Sequence, residues 1–450
     1  MVATTLLPYR KTPRSLLSHV IGLREKSIMI RTFRTGALAL LLASPTMPGA
    51  IQTAAYAQSE PAQPAPAAAQ PAQPAQAEPP APAPQPVLWR VAAAEELLRY
   101  VEGIGQEGLE PASYAPDRLR EALAGGDPAA LSPVATQTFL QLVTDLSGGQ
   151  VRGDSRVQWH LPDSSLDGNR QQLLLAQASQ GGLAPLLDGL LPTHPQYVGL
   201  KAALARTPAE DEARRGLIRA NMERWRWMPR NLGDRHVIVN VPAFTAALVE
   251  NGRVLARHRT VVGARRTPTP QLAARVTAVT INPWWNVPQS IIREMGGRFG
   301  GGYQVRRSEG GNLIVRQPPG PGNALGRLKI EMPNQHAIYL HDTPAQALFA
   351  RPVRAFSHGC IRTQAIRDFA ALLLAPTGQW DRAAIDRAIA TGDNQSITLP
   401  EPIPVYIGYF TAAATTDGDI VTYADIYGRD APVRQALNRA ASNTEVAAAD

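Results

Sequence analysis

The chain has 450 residues, enough for roughly two or three domains, and its 44% hydrophobic and 18% charged residues exclude a chain disordered throughout. Its formal charge of +8 comes from 45 basic and 37 acidic residues, but residues 1–57 hold Arg10, Lys11, Arg14, Arg24, Lys26, Arg31 and Arg34 against Glu25 alone. Without that segment the balance is 38 − 36 = +2, which excludes a general attraction for nucleic acid.

The early charges have another explanation. Arg31 and Arg34 precede an apolar run from Gly36 to Ala43, and a small-residue site follows at Ala55-Tyr56-Ala57. That is the order of an export signal, with Met29 opening the neater version, so residues 1–57 read as a leader that addresses the protein to the periplasm. If the segment is not cleaved, it is a membrane tether, although the run is short for a bilayer span. Residues 58–87 read as a disordered Pro/Ala/Gln-rich linker, extended and unable to form a core.

From 88 to 230 the pattern is helical. Ala92 to Val101 has helical apolar spacing, and Ser132-Pro133 reads as a helix start. Short helices follow over 173–176, 183–190 and 197–204, then a longer Arg/Glu-rich one over 210–227, ended by Pro229. This region shows no catalytic motif and reads as a helical scaffold domain.

The period changes near Arg235. His236 to Val241 alternates as a strand does, and Asn251-Gly252 joins 245–250 to 253–262 as a hairpin. Further strands are predicted over 275–281, 327–331, 336–341, 396–399, 404–410 and 420–423, with helices over 363–374, 382–390 and 431–441. The fold class is therefore α+β: a helical domain, then a mainly β domain over 235–410, then a C-terminal extension and tail over 411–450. Residues 296–326 are exceptionally rich in Gly and Pro. They read either as a mobile flap over a site or as a disordered insertion.

Cys360 is the single cysteine, so no internal disulfide exists. It lies in Ser357-His358-Gly359-Cys360-Ile361-Arg362, with His341-Asp342-Thr343-Pro344 upstream. A thiol near neutral pH is mostly protonated, and an imidazole can take its proton. His358 is two residues from Cys360, which gives poor in-line geometry on one strand, whereas His341 can approach from another. His341 is therefore assigned as the base and His358 as a positioning residue. The N–H groups of Gly359 and Cys360 can face a developing oxyanion. Zinc on His341, His358 and Cys360 is the competing reading, but a structural site wants a fourth ligand. His336, five residues before His341, falls on the opposite face of the predicted strand and does not complete one.

This signature resembles that of the L,D-transpeptidases, the YkuD-type catalytic domain. Ile281-Asn-Pro-Trp-Trp-Asn-Val-Pro-Gln-Ser-Ile291, Gly320 to Gly326, Tyr339 to Pro344 and Asp425-Ile-Tyr-Gly-Arg-Asp430 are similar to the YcbB-like branch. The resemblance implies Cys360 as nucleophile, His341 as base, and the Asp342 carbonyl orienting the imidazole. It also implies Ser357 as a positioning residue and Arg362, Tyr339 and Trp285 as substrate-binding residues. Many members have Asn where this chain has Arg362. The implied reaction is attack on the diaminopimelate–D-Ala bond of a peptidoglycan tetrapeptide stem. A thioester forms and an amine resolves it to a 3→3 crosslink. Peptide stems and carbapenem-type inhibitors are the implied partners, with no cofactor and no metal. Resolution by water would make the enzyme an L,D-carboxypeptidase. A non-catalytic wall-binding scaffold is the remaining alternative.

Overall fold

The computed structural model describes residues 87–447; the leader and the linker up to residue 86 lie outside the described residues. A helical domain comes first. It comprises α1 (Val91–Gly103), α2 (Pro116–Ala124), α3 (Pro128–Gly148), a two-residue strand β1 (Trp159–His160), α4 (Gly168–Ala178), α5 (Leu183–Asp188), α6 (Pro195–Arg206) and α7 (Glu212–Trp227). Helix α3 starts at Pro128, capped by the Asp127 side chain, and not at Ser132-Pro133. Pro133 lies inside the helix, one turn after its start, and the adjacent Ser132 hydroxyl donates to the Pro128 carbonyl at 2.7 Å.

The Arg/Glu composition of α7 conceals its place in the core: Glu223, Arg224, Arg226 and Trp227 are all essentially inaccessible. The Glu223 carboxylate accepts from Val151 N at 2.7 Å, Trp227 Nε1 at 3.0 Å and Arg226 at 3.0 Å. Arg226 also donates to the Tyr197 hydroxyl at 3.0 Å. Replacing Glu223 with Ala leaves a buried guanidinium and two orphaned donors. Urea unfolding should show a loss of about 3–5 kcal/mol, the usual cost of breaking a buried pair.

The β domain follows as β2 (Arg235–Asn240), β3 (Thr245–Glu250), β4 (Arg253–Gly263), β5 (Gln271–Ile281), β6 (Trp285–Asn286), α8 (Gln289–Glu294), β7 (Gln304–Arg307), β8 (Leu313–Gln317), β9 (Leu328–Glu331), β10 (Leu340–His341), β11 (Ala355–Ser357), β12 (Ile361–Thr363), α9 (Ile366–Leu374), α10 (Arg382–Thr391) and β13 (Gln395–Gly408). The extension adds β14 (Ala412–Ala414), β15 (Ile420–Thr422) and α11 (Asp430–Ala447). The main sheet runs β5-β13-β2-β3-β4-β12-β10-β9, and β9 pairs β5 again, so the path closes on itself. Val237, Val239, Leu248, Val279, Ile330, Leu340, Ile361 and Val405 fill its interior beside α9 and α10. The Asn251-Gly252 turn has φ of 48° and 74°, as a tight primed hairpin requires.

Two strand expectations change. Only Leu340–His341 of the predicted 336–341 strand is extended. The Asn334 side chain bonds to the backbone of His336, Ile338 and Met332, holding residues 332–338 in a turn. The opposite-face argument for His336 and His341 therefore has no strand to rest on. The separate strands predicted at 396–399 and 404–410 are one strand, β13, with a register shift between Thr398 and Ile403.

The Gly/Pro-rich segment is not a loose loop. β6, β8 and β7 form a separate antiparallel sheet, and Val287, Ile292 and Val315 make a small core with Phe299 and Tyr303 packed against it. The Pro318–Gly322 run is pinned by Asn323, whose amide donates to the Pro283 and Pro318 carbonyls at 3.0 and 2.9 Å.

Candidate active site

The site is built on one face of β9, β10 and β12. Leu340 lies opposite Ile330 and Ile361, and all three enter the core. Strand alternation then sends their neighbours to the other face. There His341 stands between Lys329 on one side and Arg362 on the other. Tyr339, two residues before His341, packs edge-on against it with ring centroids 5.5 Å apart, and Lys329 Nζ lies 4.5 Å from the Tyr339 ring.

Cys360 enters this face from a tightly held turn. Gly359 has φ of +112°, a conformation that a side chain would strain. The Ser357 hydroxyl donates to the Cys360 carbonyl at 2.5 Å and accepts from Gly359 N at 3.2 Å. Ser357 is thus a positioning residue through the backbone. The Gly359 N–H is already engaged, which corrects the expectation of two free N–H groups for an oxyanion. Only the Cys360 N–H of that pair is left without a partner among the described residues.

The Cys360 thiol reaches the Ala337 carbonyl at 3.6 Å, and no hydrogen bond joins it to His341. Burial pushes the thiol above its ordinary value, while the backbone and hydroxyl of Tyr339, then Lys329 and Arg362, pull the other way. Tyr339 thus bears electrostatically on the sulfur, in the direction that favours a thiolate. Burial, then the Arg362 cation, pushes His341 down to about 3; the Asp342 carbonyl opposes this and Lys329 adds to it. That carbonyl bears on the imidazole without completing a hydrogen bond, because Nδ1 is buried with no partner.

The resting pair is accordingly a thiol and a neutral imidazole, not an ion pair. A neutral imidazole can accept a proton. The sign for reactivity follows: with the thiol raised, the thiolate fraction grows about tenfold per pH unit over the neutral range. Alkylation of Cys360 by iodoacetamide should rise in that way from pH 6 to pH 8.5. A plateau across this range would indicate a preformed thiolate.

The remaining expected residues are spread around this centre. His358 Nε2 bonds the Glu294 carboxylate at 2.7 Å, at the end of α8, and Arg266 bonds the same carboxylate at 3.2 Å. No local motif singles out Glu294. Trp285 reaches the site through the Tyr339 hydroxyl, which its indole meets. The Asp342 carboxylate accepts from Arg327 N at 2.9 Å, and a Cβ on Gly326 would stand 2.5 Å from the Asp342 side chain. This residue thus also fastens the C-terminal root of the β6–β8 lobe. Arg362 is half-buried, and among the described residues it makes no ion pair or hydrogen bond; its Nε is buried without a partner. No group of three or more His, Cys, Asp or Glu side chains is gathered as metal ligands among the described residues.

Residues 234–407 match the YkuD family model, the L,D-transpeptidase catalytic domain, and residues 84–204 match a Scaffold domain model. A Haemophilus influenzae protein named "Putative L,D-transpeptidase" is 30% identical over 244 residues, covering 48% of this chain and 48% of the relative. The chain thus spans about half the length of the curated relative it matches. Among solved structures, an L,D-transpeptidase from Mycobacterium smegmatis is 15% identical over 39% of this chain and 58% of its own, with a TM-score of 0.23. The catalytic domain of an E. faecium L,D-transpeptidase acylated by ertapenem is 13% identical over 40% of this chain and 99% of its own, with a TM-score of 0.20.

Proposed function

We propose that the chain is a peptidoglycan L,D-transpeptidase with Cys360 as its nucleophile, a reading supported by the match of residues 234–407 to the L,D-transpeptidase catalytic domain model. The observation that carries the reading is the strand register that brings Cys360, in the turn just before β12, beside Tyr339 and His341. The similarity of the four segments quoted above supports assignment to the YcbB-like branch.

Cys360 Sγ attacks the carbonyl joining diaminopimelate to the terminal D-Ala of a tetrapeptide stem. His341 takes the thiol proton as the S–C bond forms, since neither a free thiolate nor an imidazolium is favoured beforehand. The Tyr339 hydroxyl donates to the sulfur, and the Cys360 N–H receives the charge on the carbonyl oxygen. The C–N bond breaks, the proton passes from His341 to the leaving D-Ala amine, and a thioester remains. A second stem's amine then attacks, its proton going to His341, and releases a 3→3 crosslinked product. Arg362 is the cation available to a donor carboxylate. A strained β-lactam carbonyl, as in a carbapenem, would acylate the same sulfur. The features of residues 29–57 support export to the periplasm.

Hydrolysis of the same thioester is the second reading, and the β6–β8 lobe bears on the choice. It meets the site at Trp285 and Glu294, and we assign it the shielding of the thioester from water. Trp285→Ala should raise the ratio of tripeptide to dimer from tetrapeptide muropeptides, read by chromatography and mass. Dimers from the parent protein support transfer; tripeptide alone supports the carboxypeptidase.

A further inference from the structure

The Asp425–Asp430 segment lies outside the matched catalytic domain, yet it is bonded to the nucleophile's turn through a buried threonine. Thr269 is fully buried. Its hydroxyl donates to the Gly359 carbonyl at 2.7 Å and accepts from Gly263 N at 2.9 Å. The same turn holds the Ser357 carbonyl through Ala264 N at 2.8 Å and Thr267 Oγ1 at 3.0 Å. Gly263 must be glycine there, since a Cβ would stand 2.2 Å from the Thr267 carbonyl.

Thr269 is in turn held from the C-terminal segment. Its N–H donates to the Tyr427 hydroxyl at 3.2 Å, and that hydroxyl donates to the Gly263 carbonyl at 2.6 Å. Arg429, 3% exposed, donates to the Thr269 carbonyl at 3.2 Å and to the Gln158 side chain beside β1. The guanidinium lies 4.9 Å from the ring centroids of both Tyr409 and Tyr427. Asp425 accepts from Tyr409 at 2.6 Å and from the backbone N–H groups of Arg429 and Asp430 at 2.8 and 2.9 Å, which closes the segment on itself.

A peptide is planar, so the direction of a trans carbonyl fixes the opposite direction for the N–H of the next residue. The carbonyl of Gly359 and the N–H of Cys360 share one peptide. With the carbonyl drawn into the core by Thr269, the Cys360 N–H is turned the other way. We infer that Thr269 is a positioning residue for the L,D-transpeptidase reaction: it aims the Cys360 N–H as the oxyanion donor, with Tyr427 and Arg429 holding Thr269 in place. This rests on the function proposed above.

The test compares Thr269→Val, which keeps the shape and removes the hydroxyl, with Thr269→Ser, which keeps the hydroxyl. The maximal rate of Cys360 acylation by a carbapenem is followed by intact mass, and alkylation by iodoacetamide, which forms no oxyanion, serves as reference. Thr269→Val should slow maximal acylation by about 10²-fold, the size of losing one oxyanion donor. Its alkylation rate should stay within about twofold of the parent, and Thr269→Ser should restore acylation, because a hydroxyl but not a methyl can hold the carbonyl. Tyr427→Phe, in case Thr269→Val does not fold, should give a smaller loss of the same kind. Equal losses of acylation and alkylation, or unchanged acylation in Thr269→Val and Tyr427→Phe, would overturn the inference. A parent protein that no carbapenem or tetrapeptide acylates would instead remove the functional reading beneath it.

Discussion

Replacing Cys360 with Ser is expected to leave a folded protein whose acyl transfer is at least about 10³-fold slower, the scale on which removal of a nucleophile acts. The loss is chemical. A serine hydroxyl is far harder to deprotonate than a thiol, and this site already disfavours charge on the nucleophile by burying it. The fold should survive, because Cys360 is only partly buried against the core and a serine hydroxyl can still donate towards the Ala337 carbonyl that the thiol meets. Thermal unfolding of the variant beside the parent checks the second half of the expectation. Cys360→Ala should be at least as inactive, and normal crosslinking by that variant would restore the wall-binding scaffold as the better reading.

Removal of His341 comes next in size. His341→Ala should slow acylation by about 10²–10⁴, the usual contribution of a general base. The substitution orphans little, because Nδ1 has no hydrogen-bond partner among the described residues and the ring is neutral. His358→Ala should cost less than about tenfold, since its ring is engaged by Glu294 in a solvent-exposed hydrogen bond, which contributes little. Stopped-flow acylation rates for the two variants settle the order. A larger loss for His358 would reverse the assignment of the base.

The chemistry of the site was legible where it depends on residue type within a short stretch. Cys360, His341 and the Gly359 turn belong to two compact motifs, and a single cysteine leaves one candidate nucleophile. What was not legible depends on contacts across the fold. Thr269 meets Gly359, and Tyr427 and Arg429 meet Thr269, only after β4, β5 and the C-terminal extension have assembled; the 425–430 segment stood out in the sequence, but its link to the nucleophile's turn did not. Glu294 meets His358 across 64 positions. The availability of the Gly359 N–H was misjudged because the competing acceptor, Ser357 Oγ, turns on one side-chain rotamer. For the fold, alternation and turn residues located most of the strands, as in the Asn251-Gly252 hairpin. The His336–His341 strand failed because the Asn334 side chain offers the backbone another set of partners. In 296–326 the glycines and prolines hid the strands β7 and β8, and Val315 of β8 packs with Val287 and Ile292 just upstream. Helix α7 was located as an Arg/Glu-rich helix, but its composition gave no sign that Glu223 and Arg226 pair inside the core.

The central claim is that Cys360 carries the acyl group. Intact mass of the protein after incubation with a tetrapeptide donor, followed by peptide mapping, tests it most directly. The account predicts a single adduct with the mass of the stem less its terminal D-Ala, on the peptide containing Cys360, sensitive to hydroxylamine and absent from Cys360→Ala. D-Ala release without such an adduct at any time point, or an adduct that persists in Cys360→Ala, would contradict it.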